Sequence, residues 1–264
     1  MSKINIDIEY IKEQLQNIGY EISDCIERKN NGINWQLKFC NSGAIVSIYD
    51  SNRTKNTVVN GRPDDGEKEK LKWIVDSLKT KELSIDSLNA DIVGMIRSRK
   101  EDSFYDFKII PHGNNEDLLH DILCLSNNIE NKNAYLILGV ADDFSVVGVD
   151  EAWTSNNIFD FLRTQEFAGN HIPEIEVKDL FYKYKRIVVI MCKSSKNVPF
   201  YLTKRYRGIN ENQIYTRLGD TNTPKNASAN YREVEKLWRF HFERENEQQS
   251  KKISEGMKND RLFY

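Results

Sequence analysis

Proline and cysteine are both scarce in this chain, five and four residues in 264. No Gly-X-Y period or low-complexity run accompanies them, so collagen-like, mucin-like and wholly disordered classes are excluded. With 39% hydrophobic and 11% aromatic residues, the chain has the material for a packed core. Cys25, Cys40, Cys124 and Cys192 stand singly with no C-x-x-C pair, which removes zinc ribbons and disulfide scaffolds. His112, His120, His171 and His241 are equally isolated and no H-E-x-x-H occurs, so carboxylates would have to hold any metal. No apolar run approaches the roughly 18 residues of a spanning helix, and the opening MSKINIDIEYIKEQ lacks the apolar centre of a signal peptide. The expectation is a cytoplasmic protein with no membrane partner. G-x-x-x-x-G-K-[ST] and G-x-G-x-x-G are absent, and with them ordinary P-loop ATPases and Rossmann oxidoreductases; no G-x-S-x-G elbow marks a nucleophile. An excess of one charge is missing too: 38 basic and 40 acidic residues give a net charge of -2, which argues against a uniformly basic nucleic-acid binder and leaves local distribution to decide.

What is present is alternating periodicity. Ile4, Ile8, Ile11, Leu15 and Ile18 recur at spacings of three and four, the stripe of an amphipathic helix. Four alternating segments follow, over Tyr20–Arg28, Asn34–Phe39, Ala44–Tyr49 and Asn56–Val59, parted by Asn31-Gly32, Asn41-Ser42-Gly43 and a polar run; they read as a strand meander. Asp64, Asp65 and Glu67 then precede a stripe of Leu71, Ile74, Val75 and Leu78, as suits the N-terminus of a helix. A polar junction places a domain boundary near residue 84. Beyond it helices are expected from Leu88, over Asp117–Ser126 and over Ile158–Phe167. Strands are expected over Ala134–Val140, Val146–Val149 and Asn212–Arg217, with a hairpin over Ile175–Tyr182 and Arg186–Cys192 and a charged helix over Asn230–Gln249. The fold class is α+β: a helix, four-strand, helix domain over 1–84, a mixed domain over 85–242, and a charged tail or helix over 243–264.

Two features carry chemistry. Between Phe181 and Arg217 nine bases face the single acid Glu211, and Tyr182, Tyr184, Tyr201, Tyr206 and Tyr215 interleave with them. Phosphate neutralisation combined with stacking suits RNA, and Lys183, Lys185, Arg186, Lys204, Arg205, Arg207, Tyr215 and Arg217 are the candidate contacts. The same composition also suits a solvated sheet edge that resists aggregation. The second feature is Glu101…Asp106-Phe107-Lys108, which puts Asp106 and Lys108 on one face of a regular strand. Joined by Asp142 or Asp143, these carboxylates suit Mg²⁺ or Mn²⁺, with Lys108 stabilising charge on a phosphodiester. Acids at a strand entrance are also commonly solvated or salt-bridged.

The ordered series Glu101…Asp106-Phe107-Lys108, Leu125-Ser126-Asn127, Tyr135-Leu136-Ile137-Leu138-Gly139-Val140-Ala141-Asp142-Asp143, Val147-Gly148-Val149, Val198-Pro199-Phe200-Tyr201 and Ile214-Tyr215-Thr216-Arg217-Leu218-Gly219-Asp220 resembles the Schlafen-type AlbA domain, over about residues 88 to 240. That family is labelled DNA- or ATP-binding, and Schlafen proteins include endoribonucleases that cut transfer and ribosomal RNA with divalent-metal help. Glu101 matches the first acid of the family's E-x-x-x-x-E-F-K element. Asp106 matches the second, usually glutamate, and Lys108 the lysine. The third acid, just past the strand ending in Gly-Val, is Asp142 or Asp143, while Ala141 stands where an acid is common. Residues 127–133 replace the usual Asn-Thr-x-Gly-Gly turn without glycine.

The resemblance implies a metal-dependent RNA endonuclease of phage defence or toxin action, working as a homodimer on transfer RNA or other structured RNA, with DNA as the other target. Lys204, Arg205, Arg207 and Arg217 would grip the backbone. Two other readings stay open, a non-catalytic nucleic-acid-binding or regulatory protein and an ATP-binding signalling protein. The first domain, through Trp35-Gln36-Leu37-Lys38-Phe39 and Val58-Val59-Asn60-Gly61, resembles half of a TATA-binding-protein-like fold of the sort at the front of some bacterial toxin ribonucleases. Its 13 basic and 13 acidic residues favour substrate positioning or oligomerisation over strong binding of its own.

Overall fold

The computed structural model describes residues 6–28, 33–49, 57–110 and 113–243. The chain forms two compact units. The first holds residues 1–100 together with 139–151 and 179–187; the second holds 101–138, 152–178 and 188–264. Where the sequence puts a boundary near residue 84, the helix that follows clusters with the first unit, and so do two later loops. The tail over 243–264 lies outside the described residues except for Glu243.

In the first unit helix α1 (Ile8–Asn17) is capped by Asp7, whose carboxylate accepts the Tyr10 amide at 3.0 Å, and it turns Ile8, Ile11 and Leu15 inward. Strands β1 (Ile22–Glu27), β2 (Ile33–Phe39), β3 (Ala44–Tyr49) and β4 (Val58–Gly61) form an antiparallel sheet in sequence order. Helix α2 (Glu67–Thr80) packs Leu71, Ile74, Val75 and Leu78 into the same core as Leu37, Val46, Ile48 and Val59. Truncating Leu37, which is fully buried, to alanine would cost about 2–5 kcal/mol. The expected order of helix, four strands and helix is therefore present. Glu67 is buried at the start of α2, where Tyr20 and Ser42 hydroxyls donate to it at 3.0 and 2.7 Å. Helix α3 (Leu88–Ser98) is held by buried Asn89, which donates to the carbonyls of Asn17 and Phe181 and accepts the Phe181 amide.

The second unit is built on a sheet ordered β5-β6-β8-β7. Strand β5 (Tyr105–Lys108) runs parallel to β6 (Ala134–Leu138), and β6 is antiparallel to β8 (Lys185–Cys192), the partner of β7 (Ile175–Tyr182) in the expected hairpin. The turn of that hairpin clusters with the first unit. Helices α4 (Asn115–Ser126) and α5 (Asn156–Arg163) and a last helix over residues 231–243, called α6 here, complete the unit.

Two expected strands are not formed as such. In place of a strand over Val146–Val149 there is a single bridge between Val140 and Val146. The loop instead folds onto Gly139, whose carbonyl accepts the amides of Val147 and Gly148 at 2.9 and 3.0 Å. Gly139 takes φ +98°, and a Cβ there would fall 3.0 Å from the Gly148 carbonyl carbon, so only glycine fits. In place of a strand over Asn212–Arg217, pairing is confined to β9 (Arg217–Leu218) and β10 (Thr221–Asn222). The residues before β9 mix side-chain and isolated backbone partners: Asn127 donates to the Tyr215 carbonyl, the Thr216 amide donates to the Thr223 hydroxyl, and the Ile214 and Thr216 carbonyls accept the Ala229 and Thr223 amides.

Candidate functional site

Arg217 is the pivot of the second unit. Only 2% of its side chain is exposed, and every nitrogen of its guanidinium is used. Nε donates to the Asp102 carbonyl at 2.9 Å and Nη1 to Asn222 Oδ1 at 2.9 Å. Nη2 donates to Glu101 Oε2 at 2.6 Å and to Asp106 Oδ1 at 3.3 Å. Lys108, on the same face of β5 as Asp106, brings Nζ to 2.7 Å from Asp106 Oδ2. That oxygen has no aligned hydrogen-bond donor, so the Lys108 contact is charge pairing. The network continues through Asn222, whose Nδ2 donates to buried Asp121 Oδ1 at 2.8 Å.

The electrostatics follow from this packing. Burial raises the Glu101 carboxyl above its ordinary value, and the neighbouring Asp106 carboxylate pushes the same way, against Arg217 and the Phe107 amide. Burial alone would lower Lys108, but the Asp106 and Asp121 carboxylates outweigh it and hold the ammonium above its usual range. Burial keeps His120 below its usual value, while its Nε2 lies 2.8 Å from the Thr223 carbonyl. Burial also pushes Cys192 up to about 12 and Cys124 well above an ordinary thiol, so neither is an available nucleophile.

Residues 101–226 match the model of the family described as Schlafen, AlbA_2. This part of the chain belongs to that family. No curated protein matches the chain. In this Schlafen AlbA_2 domain the two expected acids of the Glu101…Asp106-Phe107-Lys108 element do meet, together with the lysine. They meet around an arginine that the sequence placed at a nucleic-acid surface. Arg217 is interior because burying Glu101 and Asp106 without a cation would be far costlier than burying the set together. Asp121 and Asn222 were missed: Asp121 follows the ordinary first-turn acids Glu116 and Asp117 of α4, and nothing in its spacing sets it apart.

Asp142 and Asp143 are in the first unit, exposed in the turn after Gly139. Asp143 Oδ1 accepts the Ser145 amide at 2.9 Å, and Arg99 donates to the Asp143 carbonyl. Among the described residues no three His, Cys, Asp or Glu side chains converge as metal ligands. Around Arg217 two carboxylates, Glu101 and Asp106, already face two cations, and both oxygens of Asp106 are opposite one. A divalent ion would have to displace Arg217 from Glu101 and Asp106, so this donor set does not fit Mg²⁺ or Mn²⁺.

The cationic candidates also divide. Tyr215 is fully buried, its hydroxyl held by the Asn210 amide and the Lys225 carbonyl, so it is a core residue and not a stacking surface. Lys183 donates to the Asn41 carbonyl, Lys185 to the Val146 carbonyl at 2.7 Å, and Arg186 to Asp179 at 2.7 Å and the Asp150 carbonyl at 2.6 Å; all three are half-buried in the first unit. Lys204, Arg205 and Arg207 are exposed in the second. Their loop is anchored by contacts within the second unit: the Thr203 amide donates to the Glu166 carbonyl at 2.8 Å, Tyr206 and Ile209 exchange backbone bonds, and the Tyr206 ring packs on Phe161 at 5.3 Å. Arg205 Nε donates to the Arg207 carbonyl at 2.7 Å, and the Arg207 guanidinium lies over the Tyr206 ring at 5.5 Å. Lys204 pairs with Glu166 at 3.0 Å, with both side chains in solvent.

Asn127 shows what replaced the usual glycine-containing turn. It is fully buried, donates to the Phe200 and Tyr215 carbonyls and accepts the Phe200 amide. It stitches the chain together.

Proposed function

We propose that this Schlafen AlbA_2 domain binds nucleic acid, with structured RNA as its first ligand, through the Lys204–Arg207 loop and without metal-dependent cleavage at Glu101 and Asp106. The observation that carries the reading is the buried Arg217, which neutralises both acids while Lys204, Arg205 and Arg207 remain in solvent. The acids then serve to hold Arg217, and through it β9 and β10, in place. Three exposed cations are a small footprint. They support phosphate contact with a log affinity against log salt slope of about -2 to -3.

The second reading is the Mg²⁺- or Mn²⁺-dependent endoribonuclease. It is favoured by one observation: the Glu101 and Lys108 side chains keep 27% and 34% of their surface, beside an Asp106 that is closed off. One experiment separates the two. Full-length protein is mixed with transfer RNA in Mg²⁺ and in Mn²⁺, and binding and cleavage are read on the same samples for the parent, Glu101→Gln and Asp106→Asn. Binding without cleavage in all three supports the binding module. Cleavage by the parent that both substitutions remove replaces it with the nuclease.

A further inference from the structure

Helix α6, residues 231–243, lies beyond the segment matched by the family and carries two differently used faces. One face packs into the second unit through Leu237, fully buried, and Glu233, which accepts the Thr216 hydroxyl at 2.7 Å. The other is formed by Tyr231, Val234, Trp238 and Phe242, a spacing of three and four that lines them up on one side. Tyr231 is 79% and Phe242 55% exposed, and Trp238 stacks on Phe242 at 5.9 Å. These residues line a groove of about 460 Å³ with Glu235, Arg239 and Glu243 on its border. A helix with apolar side chains on two faces has a second burial to make.

We infer that this face pairs with the same face of a second copy of the chain, antiparallel, across a two-fold axis. Charge complementarity selects that occupant. Glu235 and Arg239 lie one turn apart along the same border of the stripe, 2.7 Å from each other in the single chain. In an antiparallel pair crossing level with residue 237, Glu235 of one helix meets Arg239 of the second copy, and the symmetry repeats the contact. A parallel pair would set like residues level with one another and lose it. The interface is short, so the dimer is weak and concentration-dependent.

Sedimentation velocity of the full chain over a concentration series tests this. The parent's average mass should rise from 30.9 kDa toward twice that value. Tyr231→Asp and Phe242→Asp, both at exposed positions, should weaken self-association roughly tenfold or more, a change of about 1.4 kcal/mol. Glu235→Arg should weaken it too, and the exchange E235R/R239E should restore it, because the exchanged charges still meet antiparallel. A parent that stays monomeric overturns the inference. So does a dimer indifferent to Tyr231 and Phe242, or a double exchange that fails to recover while circular dichroism shows a folded protein. If deleting residues 244–264 turns a monomeric parent into a dimer, the stripe is covered by the chain's own tail and the inference falls.

Discussion

Residues 183–186 and 204–207 are nearly interchangeable as strings, Lys-Tyr-Lys-Arg against Lys-Arg-Tyr-Arg, yet they do different work. In the first string Lys183 and Lys185 end on backbone carbonyls and Arg186 on a carbonyl and Asp179. The turn of the β7–β8 hairpin is thereby sewn into its own unit. In the second, Arg207 has no carboxylate partner among the described residues and lies over the Tyr206 ring, and Lys204 pairs with the exposed Glu166. A local charge excess therefore counts cations without telling which of them still have charge to offer. Solvent exposure and partner identity decide that, and both depend on contacts far along the chain.

The sharpest way to break the comparison is to move outside both strings to Arg217, the cation of the same basic segment that went inside. Arg217→Met leaves Glu101 and Asp106 without their shared partner. It should cost about 3–5 kcal/mol in urea unfolding, because a buried pair broken on one side leaves charge uncompensated. Arg207→Ala, on the surface, should stay within about 0.5 kcal/mol in the same measurement. If the two substitutions cost the same, Arg217 is not a structural pivot and the argument against a metal at this site loses its footing.

The next test returns to the two strings. Removing Lys204, Arg205 and Arg207 together should take the salt slope of RNA binding from about -2 to -3 to near zero. The pair Lys185→Ala and Arg186→Ala should leave the slope unchanged, whatever it does to stability. An equal loss from either set would show that the inward-bonded cations are released on binding.

How far these differences could be read in advance depended on range. The α1 stripe from Ile8 onward, the four-strand meander and the β7–β8 hairpin rest on spacings within a dozen residues, and they are present as expected, while Ile4 lies outside the described residues. The Glu101–Asp106–Lys108 grouping was legible too, since strand alternation sets it. What could not be read was their partner, 111 residues from Asp106 along the chain, or that Asn127 would stitch the core. The short β9–β10 pairing was likewise hidden, because the Asn127 amide and the Thr223 hydroxyl take up part of the neighbouring backbone's hydrogen bonding.

The finest test concerns protons. Glu101, raised by burial and by Asp106, holds its proton more tightly in the folded chain than in the unfolded one, so its contribution to stability falls as pH rises from the unfolded to the folded value. A carbon-13 NMR titration of the Glu101 carboxyl should find its midpoint above the ordinary 4.5, whereas Glu116, drawn down by its hydrogen bond to Lys225, should titrate below it. Asp106→Asn removes the neighbouring negative charge, and should bring Glu101 back down because Arg217 then has only one carboxylate to serve. If the Glu101 midpoint did not move, the two acids would not be acting as one unit around the arginine, and the contrast between the buried and exposed cations would rest on solvent exposure alone.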